Sequence, residues 1–389
     1  MKSKLKSVFL SGYKSFPYDA PVKASGLDQP ADPDEGKRIT FGDVTVLLGA
    51  NGAGKSNIVS FFKMLNFMTT DALQEYVLRV GGSNSLLHYG SQVTPRMRAE
   101  VEFVFEERNS RYGMILEDVA PDTLIFTKEF VEYFAPGHAQ PQVIPLGSGH
   151  RESGLKMRAE QGEETCRVIC NMLSGCRAYQ FHDTSPTAKI RKGGYIQDAG
   201  YLRADAGNLA AYLCAVRESH PAYYHRIVEH VRSGYPQLGD FVLEPTAANG
   251  NYILLNWRER GRSEYLFGPH QLSDGTLRFM ALAALFLQPP EKLPPVIVID
   301  EPELGLHPYA ILVLASMIRS ASAHCQVILS TQSTRLVDEF DVGEIVVVER
   351  DRQSGATRCH RPDENKLEEW IQRYTTSELW EKNVLGGRP

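Results

Sequence analysis

Hydrophobic and polar residues alternate at the start of the chain. Leu5, Val8 and Leu10, followed by Tyr13 and Phe16, fit a strand. A Pro-, Asp- and Gly-rich stretch, residues 17–36, reads as loop. Residues 39–48 resume the apolar run, with Val44, Val46, Leu47 and Leu48 as a buried strand. They lead directly into a Gly-rich turn and an amphipathic helix expected over 57–73. Residues 98–105 put Ala99, Val101, Phe103 and Phe105 on one face, as a half-buried strand does, and 123–134 is another strand. Between 140 and 201 the periodicity fades into Gly, Pro, Ser and charge. Residues 208–232 read as helix, and 241–243 and 252–257 as strands. From 269 onward the elements alternate: helix 276–287, strand 296–299, helix 309–319, strand 327–329, helix 334–340, strand 345–348. This alternation predicts an α/β fold, a mixed, largely parallel sheet with flanking helices. There is no internal repeat and no sustained heptad pattern, so no long coiled-coil arm is expected.

Composition narrows the class. The 389 residues suit two domains or one elaborated one. With 42% hydrophobic and 23% charged residues the chain is neither disordered nor collagen-like. The net charge of −5 argues against an overall basic nucleic-acid coat and leaves room for a local basic face. No apolar run approaches the roughly 20 residues that span a bilayer, so no membrane partner is expected. The apolar stretch within residues 1–10 is too short for a signal-peptide core. Six irregularly spaced Cys do not form a disulfide framework. The cytoplasm is the expected compartment.

Two segments carry chemistry. Gly49-Ala50-Asn51-Gly52-Ala53-Gly54-Lys55-Ser56 fits G-x-x-x-x-G-K-[ST] and sits between an apolar strand and a helix. Its glycines let the backbone approach a polyphosphate, and the amides of Asn51, Gly52, Ala53, Gly54 and Lys55 can point at it from the positive end of the helix. Lys55 supplies a point charge for the β- and γ-phosphates, and the Ser56 hydroxyl can ligate Mg²⁺. The second segment, Val296-Ile297-Val298-Ile299-Asp300-Glu301, is a strand covered on both faces that ends in two acids. At the carboxyl end of a parallel strand, Asp300 is expected beside the phosphate loop, holding Mg²⁺. Glu301 is expected to orient or deprotonate the attacking water. A third segment, Gln271-Leu272-Ser273-Asp274-Gly275-Thr276, precedes a helix: Ser273 is an N-cap candidate, and Gly275 lets a ligand approach the backbone.

With these motifs in order, the chain resembles an ABC-type ATPase of the RecF/SMC branch, close to bacterial AAA-family ATPases of the OLD and RecF type. The resemblance covers roughly residues 2–65 and 270–348. It rests on Lys14-Ser15-Phe16, the phosphate loop, residues 272–276, residues 296–301 and Glu303 through Pro308. The closing Leu379-Trp380-Glu381-Lys382-Asn383-Val384-Leu385-Gly386-Gly387-Arg388-Pro389 also resembles the tail of a predicted-ATPase group in that branch. The resemblance implies a P-loop ATPase head in three parts. Residues 1–105 are an N-terminal lobe, 106–262 an inserted α/β middle or lid region, and 263–389 a C-terminal lobe with signature, acidic strand and switch. It also implies a homodimer with two ATP molecules in the interface. Ser273 and Gly275 would reach the γ-phosphate bound by the partner, and residues 304–308, with His307, would cross that interface. Where the family usually has a γ-phosphate-contacting His, this chain has Gln332, which can hydrogen-bond but carries no charge. Hydrolysis is therefore expected to be slow or partner-stimulated. Gln92 is the candidate for the family's glutamine-containing coupling loop.

Other features were weighed. Cys166, Cys170 and Cys176, with His182 nearby, lack the paired spacing of structural zinc sites and read as buried thiols. His220, His225 and His230 fall on different helix faces and read as solvated. Lys189, Arg191, Lys192 and Arg203, interleaved with Tyr195 and Tyr201, suit a solvated face or a contact with nucleic acid. Glu349, Asp351 and Asp363 lie too near the end for an appended nuclease domain. The functional expectation is the ATPase or sensor subunit of a bacterial anti-phage defence system, working with a separate effector, a nuclease or toxin, and with DNA or RNA as a candidate ligand. The alternative is a RecF-like repair ATPase that clamps DNA.

Overall fold

The computed structural model describes residues 3–18, 36–105, 108–134 and 140–388. Most of the expected 17–36 loop (residues 19–35) and Pro389 lie outside the described residues. The chain divides into two compact units, Met1–Arg177 with Asp341–Pro389, and Ala178–Phe340. Among the described residues no helix is long and apolar enough to cross a membrane.

The first unit contains strands β1 (Lys4–Ser11), β2 (Arg38–Thr40), β3 (Val44–Leu48), β4 (Arg96–Phe105), β5 (Arg108–Val119), β6 (Thr123–Tyr133) and β7 (Gln142–Gly147). Six of them form an antiparallel sheet in the order β2-β1-β4-β5-β6-β7. Strands β4 and β5 pair over their whole length, from Arg96 opposite Glu117 to Phe105 opposite Arg108. From β4 to β7 the strands follow one another through short connections, which make antiparallel neighbours, whereas β1 and β2 join from earlier in the chain. Ala99, Val101 and Phe103 are buried as their alternation predicts, whereas Phe105 is exposed at the strand end.

Strand β3 belongs elsewhere: it runs parallel to Ile345–Arg350, which pairs antiparallel with Thr357–His360. Every residue of β3 is buried, Thr45 included, in keeping with its largely apolar run. Helix α1 (Lys55–Met68) follows and buries Ile58, Phe61, Phe62, Leu65 and Met68. It stops short of the expected 73. Thr69, Thr70 and Asp71 are poor helix formers, and Asp71 turns into the left-handed region (φ 56°). A second helix, α2 (Leu73–Arg79), starts with the amides of Leu73 and Gln74 donating to the Glu152 carboxylate at 2.7 and 3.1 Å.

One charge cluster locks the sheet. Glu100 on β4, 2% exposed, accepts from Arg98 (2.5 Å), Arg111 (3.0 Å) and Arg38 (3.2 Å). Burial pushes its carboxyl up, but the bonds and charges of Arg98, Arg111 and Arg38 outweigh that and hold it below the usual range. A depressed carboxyl contributes stability above its unfolded value and loses it as pH falls through the native one. Glu100→Gln should therefore lower stability by about 1–3 kcal/mol at pH 7. In thermal melts the gap to the parent should close in acid; a constant gap would mean that the charge is immaterial.

In the second unit, Val296–Asp300 and Gln326–Thr331 pair parallel, with Asp300 opposite Ser330, and helix Pro308–Ser322 makes the crossover. Helix Asp274–Phe286 is almost wholly apolar on its buried side. The segment read as one helix over 208–232 is two, Leu209–Ser219 and Pro221–Gly234. Pro221 has no amide to continue the first helix but suits the opening turn of the second. Between them His220 pairs with Glu291 at 2.9 Å instead of standing free in solvent. The middle strands are more numerous than the pattern suggests: Leu238–Val242, Asn256–Glu259 and Arg262–Phe267 form a small antiparallel sheet, with Trp257 stacked on Phe267.

Candidate active site

In the first unit the phosphate loop leaves β3 where no side chain fits. A Cβ on Gly49 would lie 2.0 Å from the Val348 carbonyl oxygen. Gly54 takes φ +116°, and a Cβ there would meet the Thr357 hydroxyl at 2.3 Å. Buried Lys55 donates from Nζ to the carbonyls of Gly49 (2.6 Å) and Ala50 (3.1 Å), so its ammonium is fixed within the loop's own curve. Asn51, Gly52 and Ser56 are exposed, whereas Ala53 is buried. The loop is braced by two distant segments, at Ser15 and Thr357. The buried Thr357 hydroxyl donates to Ala53 O at 2.7 Å and shares a hydrogen bond with the Ser15 hydroxyl, also at 2.7 Å, and Asn57 donates to Ser15 Oγ at 2.7 Å. Ser15 belongs to a segment that the resemblance singled out; Thr357 has no signal in the sequence, because it sits in a strand that the pattern did not reveal. Gln92 lies exposed in a turn.

In the second unit Asp300 is buried at the end of its strand. The Ser330 hydroxyl donates to its carboxylate, and its carbonyl is 3.0 Å from His182 Nε2. Glu301 is half-buried and adopts φ +42°, a region that non-glycine residues seldom occupy; its amide donates to Ser330 O at 3.0 Å. Two residues on, Glu303 is 8% exposed and accepts the Thr331 hydroxyl through Oε1. Its Oε2 has no hydrogen-bond partner among the described residues. Burial pushes this carboxyl up, the Thr331 bond opposes that, and the nearby Glu301 charge raises it further. Glu303 thus ties the acidic turn to the strand end that carries Gln332, which is exposed.

The signature segment is also in this unit. Ser273 caps helix Asp274–Phe286, its Oγ accepting from Thr276 N at 3.1 Å, as its sequence position predicts. A Cβ on Gly275 would lie 2.2 Å from Gly305 O, so the helix start and the 303–308 turn touch through backbone alone. Arg278 reinforces the junction, donating to Leu304 O (2.9 Å), Phe181 O (3.0 Å) and His182 O (2.8 Å).

Arg191 departs from the solvated or nucleic-acid-facing role expected of its basic stretch. It is 5% exposed and points inward. It donates to the carbonyls of Thr184 (2.7 Å), Pro269 (2.6 Å) and Leu272 (3.1 Å) and pairs with Asp274 (2.7 Å). Its guanidinium satisfies carbonyls on the approach to the signature helix, a use that Arg's rigid fork serves well. Its neighbours are paired too: Lys189 with Asp205 and Arg203 with Asp198. Among the cysteines, burial pushes the Cys166 thiol up to about 11 and Cys176 to about 12, which disfavours thiolate chemistry. Among the described residues no group of three or more His, Cys, Asp or Glu is placed to hold a metal ion.

The residues fit a nucleoside triphosphate with Mg²⁺. Gly49 and Gly54 leave no room for a side chain, Lys55 adds a fixed cation, and Ser56 offers a hydroxyl oxygen of the hard kind that Mg²⁺ prefers; Asp300, within the second unit, is a donor of the same kind. Residues 222–338, within the second unit, match the family model described as "AAA domain, putative AbiEii toxin, Type IV TA system". A search of curated proteins gives no match. Among solved structures, the chain is similar to an SMC head bound to the C-winged helix domain of ScpA, with 16% identity, a TM-score of 0.58, and 94% of this chain and 99% of that one covered. It is similar also to an Smc head domain with an extended coiled coil, bound to the C-terminal domain of ScpA derived from Pyrococcus furiosus. There the identity is 14%, the TM-score 0.55, and the coverage 95% of this chain and 99% of that one. The chain shares the fold of these SMC heads.

Proposed function

We propose that the chain is an ATPase that pairs with a second copy around ATP and Mg²⁺ and serves as the ATPase or sensor component of a bacterial anti-phage defence system. The observation that carries the reading is the phosphate loop, whose Lys55 ammonium is already held in place by Gly49 and Ala50. In this reading the amides of Asn51 through Lys55 bind the phosphates, and Ser56 and Asp300 hold the metal, which neutralises phosphate charge when bound. Glu301 accepts the proton of the attacking water, and Gln332 hydrogen-bonds phosphate or water. Ser273 and Gly275 engage the nucleotide of the other copy, where the capped helix start directs its dipole at the γ-phosphate. The γ-phosphate then holds the pair together and its loss releases it.

Support for the defence role is the description of the matched family model, which names a putative toxin of a type IV toxin–antitoxin system. The similar SMC heads are bound to a separate protein, which supports a separate effector here, a nuclease or toxin. The DNA-clamp alternative has less to stand on, because the basic stretch around Arg191 is spent on internal bonds and ion pairs.

The test is sedimentation with and without ATP alongside phosphate release. The parent should gain mass with ATP and Mg²⁺. Ser273→Arg should keep ATP affinity within about threefold yet fail to pair, since Ser273 is exposed and its replacement mainly obstructs a facing molecule. Pairing at the parental level in Ser273→Arg would remove the signature from the interface.

A further inference from the structure

Beside the phosphate loop, the first unit has a cavity of about 720 Å³, inside the roughly 300–1,000 Å³ range of small-molecule sites. One wall is the loop itself, at Asn51 and Gly52. Another is the end of strand Ile345–Arg350 with the turn after it, including Glu349 and Arg352. The third is the C-terminal tail, through Asn383 and Arg388. The tail is anchored, not draped. Gly387 N donates to Glu349 Oε2 at 3.3 Å, and Leu385 O lies 3.2 Å from His360 Nε2. Gly386 and Gly387 both take left-handed φ (83° and 74°), and a Cβ on Gly387 would lie 2.6 Å from Val347 Cγ1. The Gly-Gly pair is what lets the chain turn back against the strand beside the loop.

We propose that this cavity receives the ribose and base of the bound nucleotide, and that the C-terminal tail is a wall of the nucleotide site. The inference rests on the phosphate-loop reading and deepens it. The amide cradle and Lys55 already provide for the phosphates. The cavity mixes charge, with Glu349 and Asp351 alongside Arg352 and Arg388, where a further phosphate subsite would be uniformly cationic. A carboxylate suits ribose hydroxyls, a guanidinium lies flat against a base, and an amide such as Asn383 reads a base edge. Arg352, Asn383 and Arg388 are all exposed, so they can reorient onto a ligand without breaking the core.

The experiment compares ATP with inorganic tripolyphosphate as ligands of the full chain, by calorimetry, for the parent, for the Arg352→Ala/Arg388→Ala double variant and for Gly387→Val. Both arginines are exposed, so the double variant should keep the parental melting temperature, and the Gly387 variant tests the tail by a different route. ATP affinity should fall about tenfold or more in both while tripolyphosphate affinity stays within about twofold. Unchanged ATP affinity in the folded double variant would overturn the proposal. Equal losses for both ligands would overturn it as well, by making the cavity a phosphate subsite. A parent that binds neither ligand would reject the phosphate loop itself, and this inference with it.

Discussion

Glu301→Gln should slow ATP turnover by about 10²–10⁴-fold while leaving ATP affinity near the parental value. That is about 2.7–5.5 kcal/mol of transition-state stabilisation. The substitution keeps the shape and the capacity to hydrogen-bond and removes only the ability to take a proton. Glu301 sits at φ +42°, held there by the bond from its amide to Ser330 O. Gln meets the same backbone strain, so a large loss would report chemistry and not misfolding. Its neighbour Glu303 is buried, with Oε1 engaged by the Thr331 hydroxyl, so it is less accessible to an attacking water than half-buried Glu301. If turnover is the slow step in releasing the pair, ATP added to this variant should also accumulate the paired form in sedimentation. Parental hydrolysis in Glu301→Gln would mean that another group is the base.

Lys55→Ala should lower nucleotide affinity by at least about a hundredfold, near 2.7 kcal/mol, since it removes a buried, oriented charge from a polyanion's site. The same side chain also satisfies two loop carbonyls, at 2.6 and 3.1 Å, so a modest drop in melting temperature should accompany it. The two effects separate cleanly: a variant that melts a few degrees lower yet binds ATP as before would defeat the phosphate-loop assignment. The remaining hydrolysis should be undetectable because substrate no longer occupies the site.

The parts of the fold read correctly from sequence are those where one physical signal dominates. The short, largely apolar runs at Val44–Leu48 and Val296–Asp300, rich in β-branched residues, read as buried strands, and Ser273 lies where a helix needs a cap. The glycines of the phosphate loop are legible because no other residue fits. The antiparallel sheet was read only in part, because Arg108–Val119 carries Arg, Asn, Ser and Gly through its length and lacks clean alternation. What escaped altogether depends on distant partners. Nothing local to Arg191 says that its guanidinium turns inward to three carbonyls, and nothing local to Thr357 says that it braces Ala53. Glu303 could be suspected from its place after the acidic pair, but its unpartnered oxygen is visible only in three dimensions. Proposals for the catalytic and signature residues therefore keep their basis in motif chemistry, with the local geometry of each unit as support.

The Thr357 hydroxyl, bonded to Ala53 across 304 positions of sequence, also bears on how the protein comes into being. The ribosome adds Thr357 only 304 residues after Ala53, so the phosphate loop is made long before its brace. Nascent chains should therefore carry the whole phosphate-loop sequence, yet an unbraced loop, until that strand has been added.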